Sequence, residues 1–142
     1  MDVDIHPYLM DGKTRAQLRR MDPFQVSGAW RWVSAIKKSP VLASVEDADL
    51  VRRAPLVALL RNHTEETLGQ QLKAAGINER HVRRLLAADR QDIDEQLQKI
   101  VRLLKFTANP IDLVATAIYW GVTRQRQIAT AYFREKSLAD TE

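Results

Sequence analysis

Four basic or titratable nitrogen side chains crowd one short segment: Arg80, His81, Arg83 and Arg84. On a helix, which turns about 100° per residue, Arg80, Arg83, Arg84 and Ala87 share one face, and Val82, Leu85 and Leu86 share the opposite one. The apolar side is placed to dock on a helical body and the guanidinium side to face outward. Guanidinium stays charged, and its planar fork gives paired hydrogen bonds to phosphate. The competing reading is a solvated basic face whose stems lie along the surface. More cations follow the same theme: Arg19 with Arg20, Arg52 with Arg53, then Arg90, Lys99, Arg102, Arg124 and Arg126. Between residues 73 and 90 only Glu79 and Asp89 are acidic. Further on, Glu95 precedes Lys99 by one helical turn and is spaced to pair with it.

Catalytic chemistry lacks its residues. There is no cysteine, hence no disulfide, thiolate nucleophile or cysteine-based zinc site. His6, His63 and His81 are scattered, with no metal-binding spacing. Glu65 and Glu66 fall in an expected first helical turn, where carboxylates suit the helix dipole. Asp92 and Asp94, two apart on a helix, point in different directions. Glycine-rich phosphate loops, nucleophile elbows and kinase motifs are missing. The expectation is a non-enzyme with no catalytic residue, no metal and no cofactor. Trp30, Trp32 and Trp120 could stack on bases, but aromatics at helical spacing are more often core.

The elements that must position the basic residues read as helix after helix. The chain has 142 residues, 45% of them hydrophobic and 28% charged, with only 5 glycines and 5 prolines. That composition suits a soluble helical protein better than a turn-rich β fold. The net charge of +4 and pI of about 9.6 weakly favour polyanionic partners. Thr14 with Gln17 has capping-box spacing. Asp22 before Pro23 predicts a helix start, with Val26, Ala29, Val33 and Ile36 inward and Trp32 at the edge of that stripe. Ser39 and Pro40 end this segment, and Ser44 with Asp47 is a weak start for the next. Pro55 is expected to break or kink that next helix, leaving Arg52 and Arg53 near a turn. Thr64 is spaced to cap a helix through Leu68 and Leu72, which Gly76 ends, and Asn78 to cap the arginine-rich helix. Residues 91–106 bury Ile93, Leu97, Ile100, Val101 and Leu104. Asn109 and Pro110 start a helix closed by Gly121, and Thr123 caps the last.

These signals predict an all-α fold of about seven to eight helices in two small packed bundles. Residues 12–63 form the N-terminal bundle and residues 64–136 the C-terminal one, with tails at 1–11 and 137–142. No stretch approaches the ~18 apolar residues of a membrane span, and residues 1–11 lack the pattern of a secretory signal. A cytoplasmic protein with no membrane partner is expected. One functional reading is a helix-turn-helix regulator using residues 68–86, with Gly76 in the turn and Asn78, Arg80, His81 and Arg84 reading bases in the major groove.

The second reading rests on a resemblance. Ile77-Asn78-Glu79-Arg80, then Leu85-Leu86 and Ala88-Asp89-Arg90, resemble the small subunit of the type I-E CRISPR Cascade complex, the CasB family. The likeness continues through Gln96-Leu97 and Tyr119-Trp120-Gly121 to Arg124 and Arg126. Upstream it includes Ala16-Gln17-Leu18-Arg19-Arg20, Ala58-Leu59-Leu60-Arg61 and Leu68-Gly69. It covers roughly residues 12–134, and the order and spacing of the motifs carry it. The resemblance implies an all-helical, non-catalytic subunit of an RNA-guided antiviral surveillance complex. The implied partners are other Cascade subunits, guide RNA, the target and displaced DNA strands, and a second copy of the chain. Its basic surface would stabilise the R-loop by phosphate contacts independent of sequence. Arg52, Arg53, Arg90, Lys99, Arg124 and Arg126 lie at or near basic positions of the family, while Arg83 and Arg84 come from the helical wheel. Three departures stand out. Relatives start with a further helix where this chain has residues 1–11. Residues 62–67 are short where relatives can carry a longer basic loop. Ala87 stands where arginine is common.

Overall fold

Side-chain caps start four of the helices among the described residues, and four begin without one. A computed structural model describes residues 8–134, and the expected tail at 137–142 lies outside these. The helices are α1 (Gly12–Leu18), α2 (Ser27–Ile36), α3 (Asp47–Ala58), α4 (Leu68–Ala74), α5 (Glu79–Leu86), α6 (Ile93–Leu103), α7 (Pro110–Ile118) and α8 (Val122–Phe133). The protein is all-α as expected, with eight α-helices among the described residues.

Several starts differ from the sequence reading. Asp11, not Thr14, caps α1: its carboxylate accepts from the Thr14 backbone N–H, and Thr14 is buried one turn inside. Asp22 does cap a helix that opens with Pro23, but only the single 3₁₀ turn Pro23–Gln25; α2 restarts after Val26 without a side-chain cap. Glu46, rather than Ser44, precedes α3. That helix runs through Pro55 unbroken: the proline leaves the Val51 carbonyl without its usual helical N–H, and the buried Ala54, Leu56 and Val57 around it hold the segment in place. Arg52 and Arg53 are therefore helical. Thr67, not Thr64, caps α4 in a reciprocal capping box with Gln70. Asn78 caps α5 and Asn109 caps α7, both as read from the sequence. Gly121, not Thr123, precedes α8.

One contiguous apolar core runs through these elements. It includes Trp32, Ile36 and Leu42 from the N-terminal part, Leu50 and Val57 of α3, and Leu72, Leu85, Leu97, Leu113 and Trp120 beyond. Trp32, left at the edge of its stripe by periodicity, is buried and donates its indole N–H to the Tyr8 carbonyl. Of the segment expected as an N-terminal tail, Met10 is buried and Tyr8 and Leu9 pack on the core. Helix α3 is the shared wall, packing on α1, α2, α6 and α7. A parallel two-residue strand pair, β1 (Asn62–His63) with β2 (Thr107–Ala108), ties the chain after α3 to the chain after α6.

Helix α8 lies closest against α4. A Cβ on Gly69 would sit 2.7 Å from Ala131 Cβ and 2.9 Å from the Ile128 carbonyl oxygen. A Cβ fixed to its backbone and a carbonyl oxygen cannot rotate away. Gly69→Ala is expected to destabilise the protein by about 1–3 kcal/mol, read as a lower denaturation midpoint with an unchanged slope.

The turn closing α6 holds Lys105 at φ 58° and Phe106 at φ 61°, both left-handed. The N–H groups of Arg61 and Asn62 donate to the Phe106 carbonyl, and the Arg61 guanidinium sits 5.1 Å from the Phe106 ring centre. Lysine gains nothing from this conformation, whereas glycine adopts it freely. Lys105→Gly is expected to raise stability by about 0.5–1 kcal/mol, measured by the same denaturant titration.

Candidate nucleic-acid interface

The arginine-rich segment is positioned from three sides. The Asn78 side chain accepts the Arg80 backbone N–H and starts α5. Val82 and Leu85 are buried, fixing which face of α5 turns inward. Tyr132 of α8 donates its hydroxyl to the Ile77 carbonyl just before the helix. Trp120 donates its buried indole N–H to the Ala88 carbonyl just after it, at 2.7 Å. Both ends of α5 are thus held by aromatic side chains from the C-terminal elements, and its inward face packs on α6.

Where α5 meets α6 a groove of about 380 Å³ opens to solvent. Arg84 and His81 line it from α5, and Lys99 and Arg102 from α6. Gln96, Ile100 and Leu103 complete the lining, which contains no aspartate or glutamate. On α6 the spacing of Gln96, Lys99, Ile100 and Leu103 puts them along one helical face. The Lys99 ammonium is 3.7 Å from Glu95, a solvent-exposed pair of the expected i, i+4 kind that holds it weakly. Among the described residues, Arg84 and Arg102 have no ion pair and both are exposed.

The other basic residues singled out in the sequence lie elsewhere. Arg83 leaves the groove despite neighbouring Arg84: it pairs with Glu79 at 2.6 Å and sits 5.8 Å from the Phe133 ring centre. Arg52 is exposed, bonded to Asp49 at 2.8 Å and set over Phe24. Arg53 is mostly buried and reaches from α3 to Asp94 of α6 at 3.3 Å. Arg124 is mostly buried against Asp112 at 3.1 Å, and that carboxylate also accepts the Leu68 N–H at the start of α4. Arg126 is exposed on α8, lining a separate shallow cleft with Thr123, Gln127, Thr130 and Arg134. Arg90 is exposed in the α5–α6 turn, where Asp89 binds the Gln91 and Asp92 N–H groups. Repulsion by Asp89, with a hydrogen bond to it, raises the Asp92 carboxyl above its ordinary value. These crowded acids offset the Arg90 charge locally. The sequence therefore marked Arg84 and Lys99 as site residues and His81 only as a base reader in the helix-turn-helix reading, and it did not select Arg102 or Gln96. The signal available was the Gln96, Lys99 and Leu103 spacing along the edge of the Ile100, Val101 and Leu104 stripe; only the crossing of α5 over α6 brings that edge to Arg84.

The helix-turn-helix pattern takes a different form here. Gly76 does end α4, in the left-handed conformation at φ 66°. Yet α4 packs chiefly on α8 and α5 on α6, so the two helices lean on separate supports. Asn78 is spent on its cap. Asn78→Ala is expected to lower stability by about 1 kcal/mol by thermal or denaturant melting, while leaving any preference among DNA sequences unchanged.

Comparison with known proteins follows the same lines. A chain of the E. coli Cascade complex, crystallised bound to a PAM-containing double-stranded DNA target, superposes with a TM-score of 0.61. The two share 22% identity, over 89% of this chain and 88% of that one, which establishes a common fold. No curated protein matches. Residues 14–134 match the family of CRISPR-associated protein Cse2, which is the small-subunit family that the order of sequence motifs resembles. With that match spanning nearly all of its helices, the chain belongs to the CRISPR-associated Cse2 family.

Proposed function

We propose that this protein is a non-catalytic small subunit of an RNA-guided Cascade complex, and that its α5–α6 groove holds nucleic-acid backbone without reading sequence. The observation that carries this is the groove itself: Arg84, Lys99 and Arg102 converge there with no acidic side chain in the lining. Such a site attracts phosphates and offers no fixed set of base-edge donors and acceptors. Exposed Arg126 extends the positive surface; Arg52 adds to it after releasing Asp49, and Arg90 only against its acidic neighbours Asp89 and Asp92. Arg83 contributes after releasing Glu79, while Arg53 and Arg124 act by holding helices together.

In RNA-guided recognition, base pairing reads sequence and protein contacts the strands. Exchanging a DNA duplex for a guide–target heteroduplex is close to balanced in free energy, so a few phosphate contacts on the separated strands shift it. The partners on this reading are the other Cascade subunits, guide RNA, the target and displaced strands, and a second copy of the chain. Among the described residues no group of side chains is arranged to hold a metal, and no helix is long and apolar enough to cross a membrane.

Co-expression with tagged partner subunits and a guide RNA tests membership. The expected result is retention of this chain in a complex of fixed composition through gel filtration. Elution as a free protein from an otherwise assembled complex contradicts it.

A further inference from the structure

The groove between α5 and α6 is not simply a basic surface. Its rim is cationic, but its floor is apolar: Ile100 is buried there and Leu103 is 39% exposed. Holding phosphates on a rim needs no such floor, and a leucine left facing water among cations gains only when something apolar covers it. A polar amide, Gln96, and an imidazole, His81, look onto the same space. At about 380 Å³ it lies within the roughly 300–1,000 Å³ range of small-ligand clefts.

A ligand matching all of this must join an anion to a flat apolar body with a hydrogen-bonding edge. An unpaired nucleotide does so. We propose that the groove captures a base splayed out of a single strand, a reading that rests on the phosphate contacts proposed above. Arg84, Lys99 and Arg102 hold the phosphates on either side. The base lies over Leu103 and Ile100, with the His81 ring and the Arg84 guanidinium plane as stacking partners. Gln96 meets the base edge, and because its amide both donates and accepts it tolerates any base. Bases inside a duplex are stacked and unavailable, so the groove favours an unpaired strand over a guide–target heteroduplex. Within an R-loop that strand is the displaced one.

The test uses the full-length chain and fluorescence anisotropy with a labelled thymidine oligomer of about twelve nucleotides, an abasic strand of equal length, and a duplex. The wild-type protein is expected to bind the thymidine strand about tenfold more tightly than the abasic one, as stacking of one base provides. Leu103→Ser and His81→Ala should erase that difference while leaving abasic binding unchanged, and His81→Phe should restore most of it. Leu103 is exposed enough that its replacement leaves the core intact. Equal wild-type binding of the two strands overturns the base site and spares the phosphate reading. A failure to bind the abasic strand overturns the phosphate reading instead. If both variants keep wild-type strand binding but lose retention by partner subunits, the groove docks a protein and the proposal falls.

Discussion

Replacing Arg84, Lys99 and Arg102 together with alanine is expected to lower affinity for single-stranded DNA by about ten- to a hundredfold near physiological salt, with little change in stability. All three line the groove, and none holds the fold together: Arg84 and Arg102 have no ion pair among the described residues, and the Lys99–Glu95 pair is solvent-exposed. Each contact releases counterions from the strand, so the loss grows as salt is lowered. The contrasting variants are Arg53→Ala and Arg124→Ala. Arg124 and Asp112 are largely buried, with side chains only 20% and 15% exposed. Removing the arginine strands a carboxylate that also anchors the start of α4. Those variants are expected to lower the melting temperature first and to affect binding only through it. A titration of each variant by anisotropy, paired with its melting curve, separates the two groups.

The largest single loss of stability is expected from Trp120→Ala, about 3–5 kcal/mol. Trp120 is 2% exposed and ranks first by volume among the fully buried side chains. Truncation opens a cavity that the surrounding helices can only partly close, and it leaves the Ala88 carbonyl without the indole N–H. Set against total stabilities of roughly 5–15 kcal/mol, such a change removes a large fraction. Trp120→Phe keeps most of the volume and loses the hydrogen bond, so its cost should be smaller, about 1–2 kcal/mol. Because that bond pins the end of α5, the Phe variant links packing to the site. Denaturant midpoints rank the variants, and the spread between Ala and Phe reports how much of the effect is volume.

The helices were legible because their signals are local. Asn78, Asn109 with Pro110, and Gly76 each act within a few residues, and each appears in the structure where the sequence puts it. Two of the misplaced starts share one cause, a second available cap, whereas α2, α3 and α8 begin with no side-chain cap at all. Asp11 and Thr14 compete for α1, Thr64 and Thr67 for α4, and tertiary packing decides by burying Thr14 and anchoring Leu68 to Asp112. At Pro55 the expected break rests on a local cost, a missing donor and a clash with the preceding turn, which the burial of Ala54, Leu56 and Val57 outweighs.

The site was only half legible. A helical wheel separates inside from outside on α5, and Val82 and Leu85 are indeed buried with Arg80, Arg83 and Arg84 outside. The Glu79–Arg83 pair, one helical turn apart, was open to the same reading as Glu95–Lys99, but the wheel cannot say that Arg83 lies beside Phe133 of α8 while Arg84 shares a groove with Lys99 and Arg102. That divergence comes from the crossing of α5 with α6 and from α8 lying behind. Arg53 and Arg124 show the same limit in reverse, since cations at basic family positions form buried links between helices.

The most direct test of the central claim is the salt dependence of binding, measured for the assembled complex on two target sequences matched by two guides. For the wild-type subunit and the Arg84→Ala/Arg102→Ala variant, log affinity is plotted against log salt concentration. The variant is expected to weaken both targets equally and to flatten the slope by about 0.7–0.9 for each lost contact. An unchanged slope, or a loss confined to one target sequence, would contradict it.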